Sequence, residues 1–393
     1  MTAPMRIAML TYSVKPRGGV VHALEVSEAL ARRGQHVELV ALARPGEVLF
    51  RPTRLPLALI PHEAGEIADF DRRIEAMTAS YVDGLAPILE AGRFDVVHSQ
   101  DCLSANAVLE LRDRGVVDRV VRTVHHVDDF TSPSLIECQH RSIVGPDHVL
   151  CVSDPWVARL AREFGVEAQV VPNGVDRSRF RPARDPAERA ADRRRLDLGD
   201  RLAVLTVGGI EPRKGSLTLL EGFARLRAAL PERDPVLLIA GGTTLFDYQS
   251  ELERFAAREA QLGVGAHVRV LGPQTPQEIE RLYRAADLFA FPSVKEGFGL
   301  AALEALAAEL PVVASDIAVF RGFLEDGRSA LLAPTGDGEA LGDALVRLAV
   351  EPALRRRLAT GGRAVAAAYS WDASAARHER VYRSFAEARR EAA

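Results

Sequence analysis

Residues Phe291 to Ser315 read FPSVKEGFGLAALEALAAELPVVAS. An apolar strand end runs into a loop that carries Glu296, the Gly297–Phe298–Gly299 turn opens a helix at Leu300, Glu304 follows within that helix, and PVVAS returns as a second apolar strand. A strand, a glycine turn, a helix and a further strand form the repeating unit of a parallel α/β sheet. The start of such a helix offers unpaired N–H groups and the positive end of a dipole, and glycines let a phosphate come close to the backbone. Eight helical positions span about 12 Å at about 1.5 Å each, the reach of a diphosphate with a sugar on either side. Ionised carboxylates accept hydrogen bonds only, so Glu296 and Glu304 suit sugar hydroxyls at opposite ends of such a ligand. Taken alone, the same spacing also fits an exposed helix residue and a charge near a helix N-terminus.

Working outward, short apolar runs alternate with helix-period segments along the whole chain, which predicts the α/β class. Strands are expected at Arg6–Tyr12, Val37–Leu42, Asp95–His98, Arg119–Val124, His148–Val152 and Ala168–Val171, and again at Arg201–Val207, Pro235–Ala240, His267–Leu271, Leu288–Phe291, Pro311–Ala314 and Ala330–Leu332. Between the first two, Val20, Ala23, Leu24, Leu30 and Ala31 share one helical face, and Gly34 marks its end. The charged, proline-containing run PNGVDRSRFRPARDPAERAADRRR breaks the periodicity, so a linker is expected near 173–200. Residues 1–178 form the first expected domain and 179–373 the second, with one amphipathic helix over 374–393 completing the first.

A chain of 393 residues supports two cores. Its composition, 47% hydrophobic and 26% charged, is that of a soluble globular protein, and no apolar run is long enough to span a bilayer. The N-terminal stretch has no signal-peptide pattern, which points to the cytoplasm. Cys102, Cys138 and Cys151 are widely spaced and read as reduced thiols. A net charge of −4 argues against a nucleic-acid partner. The mixed charges from Arg377 to Arg390 read as a solvated helix face.

The Phe291–Ser315 stretch resembles the signature of retaining glycosyltransferase family 4, with Glu309 standing where that family usually has a glycine, at a helix end. The resemblance extends to Gly18–Gly19–Val20, after the first strand and before a helix, and to Val-Pro-Asn-Gly-Val-Asp at 171–176. It implies a GT-B fold, with two Rossmann-like domains facing across a cleft and a C-terminal helix crossing back to the first. It also implies that Lys214, in Val207–Gly208–Gly209–Ile210–Glu211–Pro212–Arg213–Lys214–Gly215, contacts a diphosphate. The family's strand-proximal arginine is replaced here by Gly209, a loss that Arg213 is placed to offset. Gly241 and Gly242 resemble the family's pair facing the nucleotide, and His125 aligns with its histidine that contacts the transferred sugar.

The activity implied is transfer of a sugar, with retention, from a UDP-, GDP- or ADP-sugar to an acceptor, which could be a small molecule, a glycan or a lipid-linked group at the inner face of a membrane. Catalytic roles fall to His125, Lys214, Glu296 and Arg213, and donor binding to Gly18, Gly19, Gly241, Gly242, Gly297, Phe298, Gly299, Leu300 and Glu304. Neither a cofactor nor a metal is expected. Asp69–Phe70–Asp71 has the D-x-D spacing of a metal site but lies away from any strand end. A phosphorylase or epimerase on the same fold, or a non-catalytic nucleotide-sugar binder, are the rival readings. No G-x-G-x-x-G fingerprint is complete, which disfavours a dinucleotide enzyme.

Overall fold

The computed structural model describes residues 3–241 and 249–391, with side chains of the last helix up to residue 384. The chain divides into two compact units, Met1–Asn173 with Trp371–Ala393, and Gly174–Ser370. The first contains β1 (Arg6–Thr11), α1 (Gly18–Arg32), β2 (His36–Ala43), β3 (Leu57–Pro61), α2 (Phe70–Gly92), β4 (Val96–Ser99), α3 (Cys102–Asp113), β5 (Val120–Val124), α4 (Pro133–Val144), β6 (His148–Cys151), α5 (Asp154–Phe164) and β7 (Ala168–Val170). The second contains α6 (Pro186–Arg195), β8 (Ala203–Val207), α7 (Ser216–Ala229), β9 (Val236–Ala240), α8 (Gln249–Leu262), β10 (Val268–Gly272), α9 (Pro276–Ala285), β11 (Leu288–Phe291), α10 (Leu300–Ala307), β12 (Val312–Ser315), α11 (Ala318–Arg321), β13 (Leu331–Ala333), α12 (Gly338–Val350) and α13 (Pro352–Ala368). The closing helix α14 (Trp371–Glu391) returns to the first unit.

Both sheets are parallel, in the orders β3-β2-β1-β4-β5-β6-β7 and β10-β9-β8-β11-β12-β13. Val, Leu, Ile and Ala fill these strands because helices cover both faces, leaving few positions in contact with water. In the second unit, Phe223, Leu237, Leu288 and Leu345 belong to one such core. Each fully buried side chain of this size contributes about 1.5–3 kcal/mol.

Every strand expected from the apolar runs is present, with ends shifted by at most two residues. β3 is an addition. Its LALIP segment follows Pro56 and ends on Pro61, is mostly exposed and pairs only along one edge with β2, so it reads as a proline-bounded loop. The expected linker contains α6, which Asp185 caps by accepting from the backbone N–H of Glu188 at 2.8 Å and which starts with Pro186. Arg189 and Arg193 then reach Asp287 at 2.7 and 3.1 Å, and Asp192 binds Arg284 at 2.7 Å, so this segment is docked on the second unit.

Of the solvated face expected between Arg377 and Arg390, Arg377 and Arg380 are exposed and Glu379 is the exception where side chains are described. Trp371, Ala375, His378 and Tyr382 form a buried stripe, and Glu379 is nearly buried while accepting from Arg33 at 2.9 Å and Gln35 at 3.0 Å. Mixed charge alone does not reveal a helix whose carboxylate is paired across the fold. In the D-x-D, Asp69 caps α2 through the backbone N–H of Arg72, and Asp71 accepts from the hydroxyls of Ser132 and Ser134. All three cysteines are free thiols. Among the described residues, no helix is long and apolar enough to cross a membrane.

Candidate active site

In an open parallel sheet, ligands bind beyond the carboxyl ends of strands where the strand order reverses. In the second sheet that point lies between β8 and β11, because β8 continues to β9 on one side and has β11 on the other. Two loops leave the sheet there, Gly208–Gly215 after β8 and Pro292–Gly299 after β11. They are tied together where the backbone N–H of Val294 donates to the carbonyl of Arg213 at 2.8 Å.

This junction gathers Lys214, Arg213 and Glu296. Lys214 Nζ donates to Glu296 Oε1 at 2.6 Å and lies 4.8 Å from the centroid of Phe291, adding a cation–π contact. Arg213 Nη1 is 3.6 Å from the same carboxylate oxygen, while its Nε is 2.9 Å from Glu211. Burial works against ionising Glu296, but the charges of Lys214 and Arg213 and the hydrogen bonds from Lys214 and Ser293 outweigh it and hold the carboxyl below its usual range. Burial lowers the Lys214 ammonium below its ordinary value, helped by Arg213 and resisted by Glu296. The result is a preorganised cation pair beside a helix start.

That helix, α10, begins at Leu300 with Gly299 as its cap at φ +102°, a conformation open to glycine; a Cβ there would also meet Phe320 at 2.6 Å. Gly297 stands two residues earlier in the same turn. Phe298 points inward: its ring stacks on Phe323 at 5.2 Å and meets Tyr369 at 5.7 Å. Its side chain is therefore a packing group, so a ligand contact at Phe298 would have to come from its backbone. Glu304 accepts from the Tyr283 hydroxyl at 2.9 Å. Gly241, at the end of β9, leaves room for the β8 loop, since a Cβ there would lie 2.3 Å from the Gly208 carbonyl. Gly242 lies outside the described residues.

The first sheet reverses between β1 and β4. Gly18 and Gly19 open α1 just beyond β1, Gln100 follows β4, and His125 follows β5. Nothing crowds the Gly18 position, whereas a Cβ on Gly19 would sit 3.2 Å from His125 Cδ2, so this glycine leaves space for the ring. His125 Nε2 is 2.9 Å from Gln100 Oε1 and the ring stands edge-on to His22, centroids 4.7 Å apart. Burial, then His22 and Arg122, hold His125 well below its ordinary pKa, so it is neutral. His126, by contrast, pairs with Asp128 at 3.2 Å and is largely exposed.

His22, His98 and Gln100, neighbours in this unit, went unsingled in the sequence. His22 Nδ1 is 2.7 Å from Asn173 Oδ1, and His98 lies 2.6 Å from the Tyr382 hydroxyl and 3.1 Å from Gln100. The one available signal was that His98 and Ser99 close a strand and Gln100 follows it. In the second unit, Tyr283 lies on α9 with no cue linking it to Glu304.

The residues at both junctions can be compared with known proteins. A family model of glycosyl transferases group 1 matches residues 188–365, and one of Glycosyltransferase Family 4 matches residues 16–179. The chain is 32% identical over 411 residues to a D-inositol 3-phosphate glycosyltransferase of Corynebacterium jeikeium, covering 96% of each chain. A protein of the same name from Xylanimonas cellulosilytica is 33% identical, again with 96% of each chain covered. Among solved structures, sucrose-phosphate synthase from Thermosynechococcus elongatus aligns with a TM-score of 0.81 at 24% identity, over 98% of this chain and 100% of that one. Anabaena HepE, solved with UDP and glucose, aligns at 0.76 and 18% identity, over 97% and 100%. With two parallel Rossmann-like units and near full-length similarity above 30% identity, the chain belongs to the group 1, family 4-like glycosyltransferases of GT-B fold.

Proposed function

We propose that this glycosyltransferase takes a sugar from a nucleotide diphosphate sugar and transfers it to an acceptor with retention and without a metal. The observation that carries the reading is the Lys214–Arg213–Glu296 cluster at the β8/β11 reversal, beside the N-terminus of α10. As the glycosidic bond breaks, its electron pair passes to the leaving diphosphate, and fixed cations and helix-end N–H groups stabilise that charge without reorganising. The acceptor hydroxyl forms the new bond to the anomeric carbon, and a phosphate oxygen of the leaving group receives its proton. Glu296 keeps the two cations in place, and Glu304 accepts hydrogen bonds from the hydroxyls of the nucleotide's ribose. His125, neutral and held by Gln100, contacts a substrate hydroxyl. We place the reaction in the cytoplasm, at the inner face of the membrane if the acceptor is lipid-linked.

HepE's UDP-glucose complex makes UDP-sugars the first donors to try, and the curated relatives' name makes an inositol phosphate the first acceptor. A thermal-shift screen of UDP-, GDP- and ADP-sugars tests the donor class. A ligand that binds only the folded state stabilises it by RT ln(1 + [L]/Kd), about 2.7 kcal/mol at a hundredfold excess over Kd. One nucleotide series should raise the melting temperature, and released nucleotide diphosphate should follow acceptor addition. No shift with any of the three would remove the proposal.

A further inference from the structure

His98, His22 and His378 are fully buried in the first unit, with the partly exposed His125 at their edge. Between His98 and His125 lies Gln100, whose amide orientation follows from a sulfur atom. Gln100 Nε2 is 3.0 Å from Met9 Sδ, and a thioether can only accept, so the NH2 end must face Met9. The same NH2 reaches His98 Nε2 at 3.1 Å, which makes that nitrogen the lone-pair site and puts the His98 proton on Nδ1. Thr123 Oγ1 lies 2.8 Å from the same Nε2. His98 Nδ1–H then donates to the Tyr382 hydroxyl at 2.6 Å. At the other end of the amide, Oε1 lies 2.9 Å from His125 Nε2. An amide oxygen only accepts, so His125 carries its proton on Nε2, and Nδ1, which has no hydrogen-bond partner among the described residues, is an acceptor.

We propose that Gln100, His98 and Tyr382 are positioning residues that hold His125 as its Nε2–H tautomer and offer Nδ1 to a substrate hydroxyl as a hydrogen-bond acceptor. The offer to substrate rests on the glycosyl-transfer reading, whereas the tautomer does not. The arrangement gives α14 a role in the site: Tyr382, contributed after the chain has completed the whole second unit, closes a relay that starts at β1 with Met9. Burial supports a single proton per ring, since it holds both His98 and His125 well below their ordinary values.

The test is two-bond proton–nitrogen correlation spectroscopy on the full-length, ligand-free protein labelled with 15N-histidine, with His98→Gln and His125→Gln for assignment. His125 is expected to show a protonated Nε2 and a bare Nδ1, and His98 the reverse. In Gln100→Glu the carboxylate can only accept, so His98 should switch its proton to Nε2 while the Tyr382 hydroxyl turns to donate to Nδ1; a loss of packing alone would not reverse one ring. In Tyr382→Phe, Gln100 still donates to Nε2, so the His98 proton should stay on Nδ1 while its resonance loses the shift of a hydrogen bond. A bare Nε2 on His125 in the wild-type protein, or an unchanged His98 in Gln100→Glu, would overturn the proposal. If Gln100→Glu fails to fold, the wild-type and Tyr382→Phe spectra still decide. UDP-glucose turnover, measured on the same preparation, bears on the transfer reading alone, so the two ideas fail separately.

Discussion

Lys214 has three N–H groups and gives one to Glu296 at 2.6 Å, which leaves two to meet the proposed diphosphate. Arg213 is more committed, held between Glu211 at 2.9 Å and Glu296 at 3.6 Å. Lys214→Ala should therefore cost about 3 kcal/mol in the transition state, a fall in kcat of about a hundredfold or more, and Arg213→Ala should cost less. Steady-state kinetics, with circular dichroism to confirm folding, check both; a folded Lys214→Ala enzyme of normal kcat would remove the lysine from leaving-group stabilisation. Glu304 lies within α10 and Glu309 just beyond its end. Glu304→Ala should weaken binding of the matching nucleotide diphosphate in isothermal titration, and Glu309→Ala should not. Equal affinities would contradict the ribose assignment.

At the level of elements, the end of α10 and the clamp of α6 each make a stability claim. Glu309 adopts φ +58°, where a Cβ is strained, and it gains an exposed contact with Arg363 at 3.2 Å. That geometry explains why a glycine suits the position and why its replacement disturbs a helix end. Relief of the left-handed strain, about 1–2 kcal/mol, exceeds the loss of a surface ion pair, so Glu309→Gly should stabilise the protein by about 0.5–1 kcal/mol, measured by urea denaturation. Asp287 accepts from Arg189, Arg193 and the backbone N–H of Ala203, tying α6 to the start of β8. Asp287→Ala leaves the partly buried Arg193 without this partner and should cost about 2 kcal/mol, seen as a lower denaturation midpoint at unchanged slope. A midpoint within error of wild type would mean that α6 holds by other contacts.

Across the whole molecule, the buried histidines set a pH dependence. Burial lowers His22 to about 3 and His378 to about 4, with the neighbouring His378 adding to the shift of His22; His98 and His125 also lie well below their ordinary values. Unfolded histidine takes up its proton near about pH 6.5, so between that pH and the folded values the unfolded chain binds more protons. Stability is then complete above about pH 6.5 and falls as the pH drops, by about 1.4 kcal/mol per pH unit for each such histidine. Carboxylates such as Glu296, whose folded value lies below 4.5, add their loss only at lower pH. Melting temperatures should therefore decline already between about pH 6.5 and 5, and His378→Gln should make that slope shallower by one proton's worth. A flat profile over that interval would show that these rings are already protonated in the folded protein.

The α/β class, all but one of the strands, the glycine turn before α10 and the lysine loop after β8 are legible in contiguous residues, whose period and spacing follow from backbone geometry. The cap and proline that start α6 were equally local, but they sat inside a charge run that outweighed them. The exposed edge strand β3, bounded by Pro56 and Pro61, reads locally as a loop. Folding is what brings Lys214 to Glu296, 82 residues away, turns Phe298 inward and carries Tyr382 to His98 across 284 positions. Such pairs depend on burial and on which donor finds which acceptor, and those are properties of packing that no local pattern encodes.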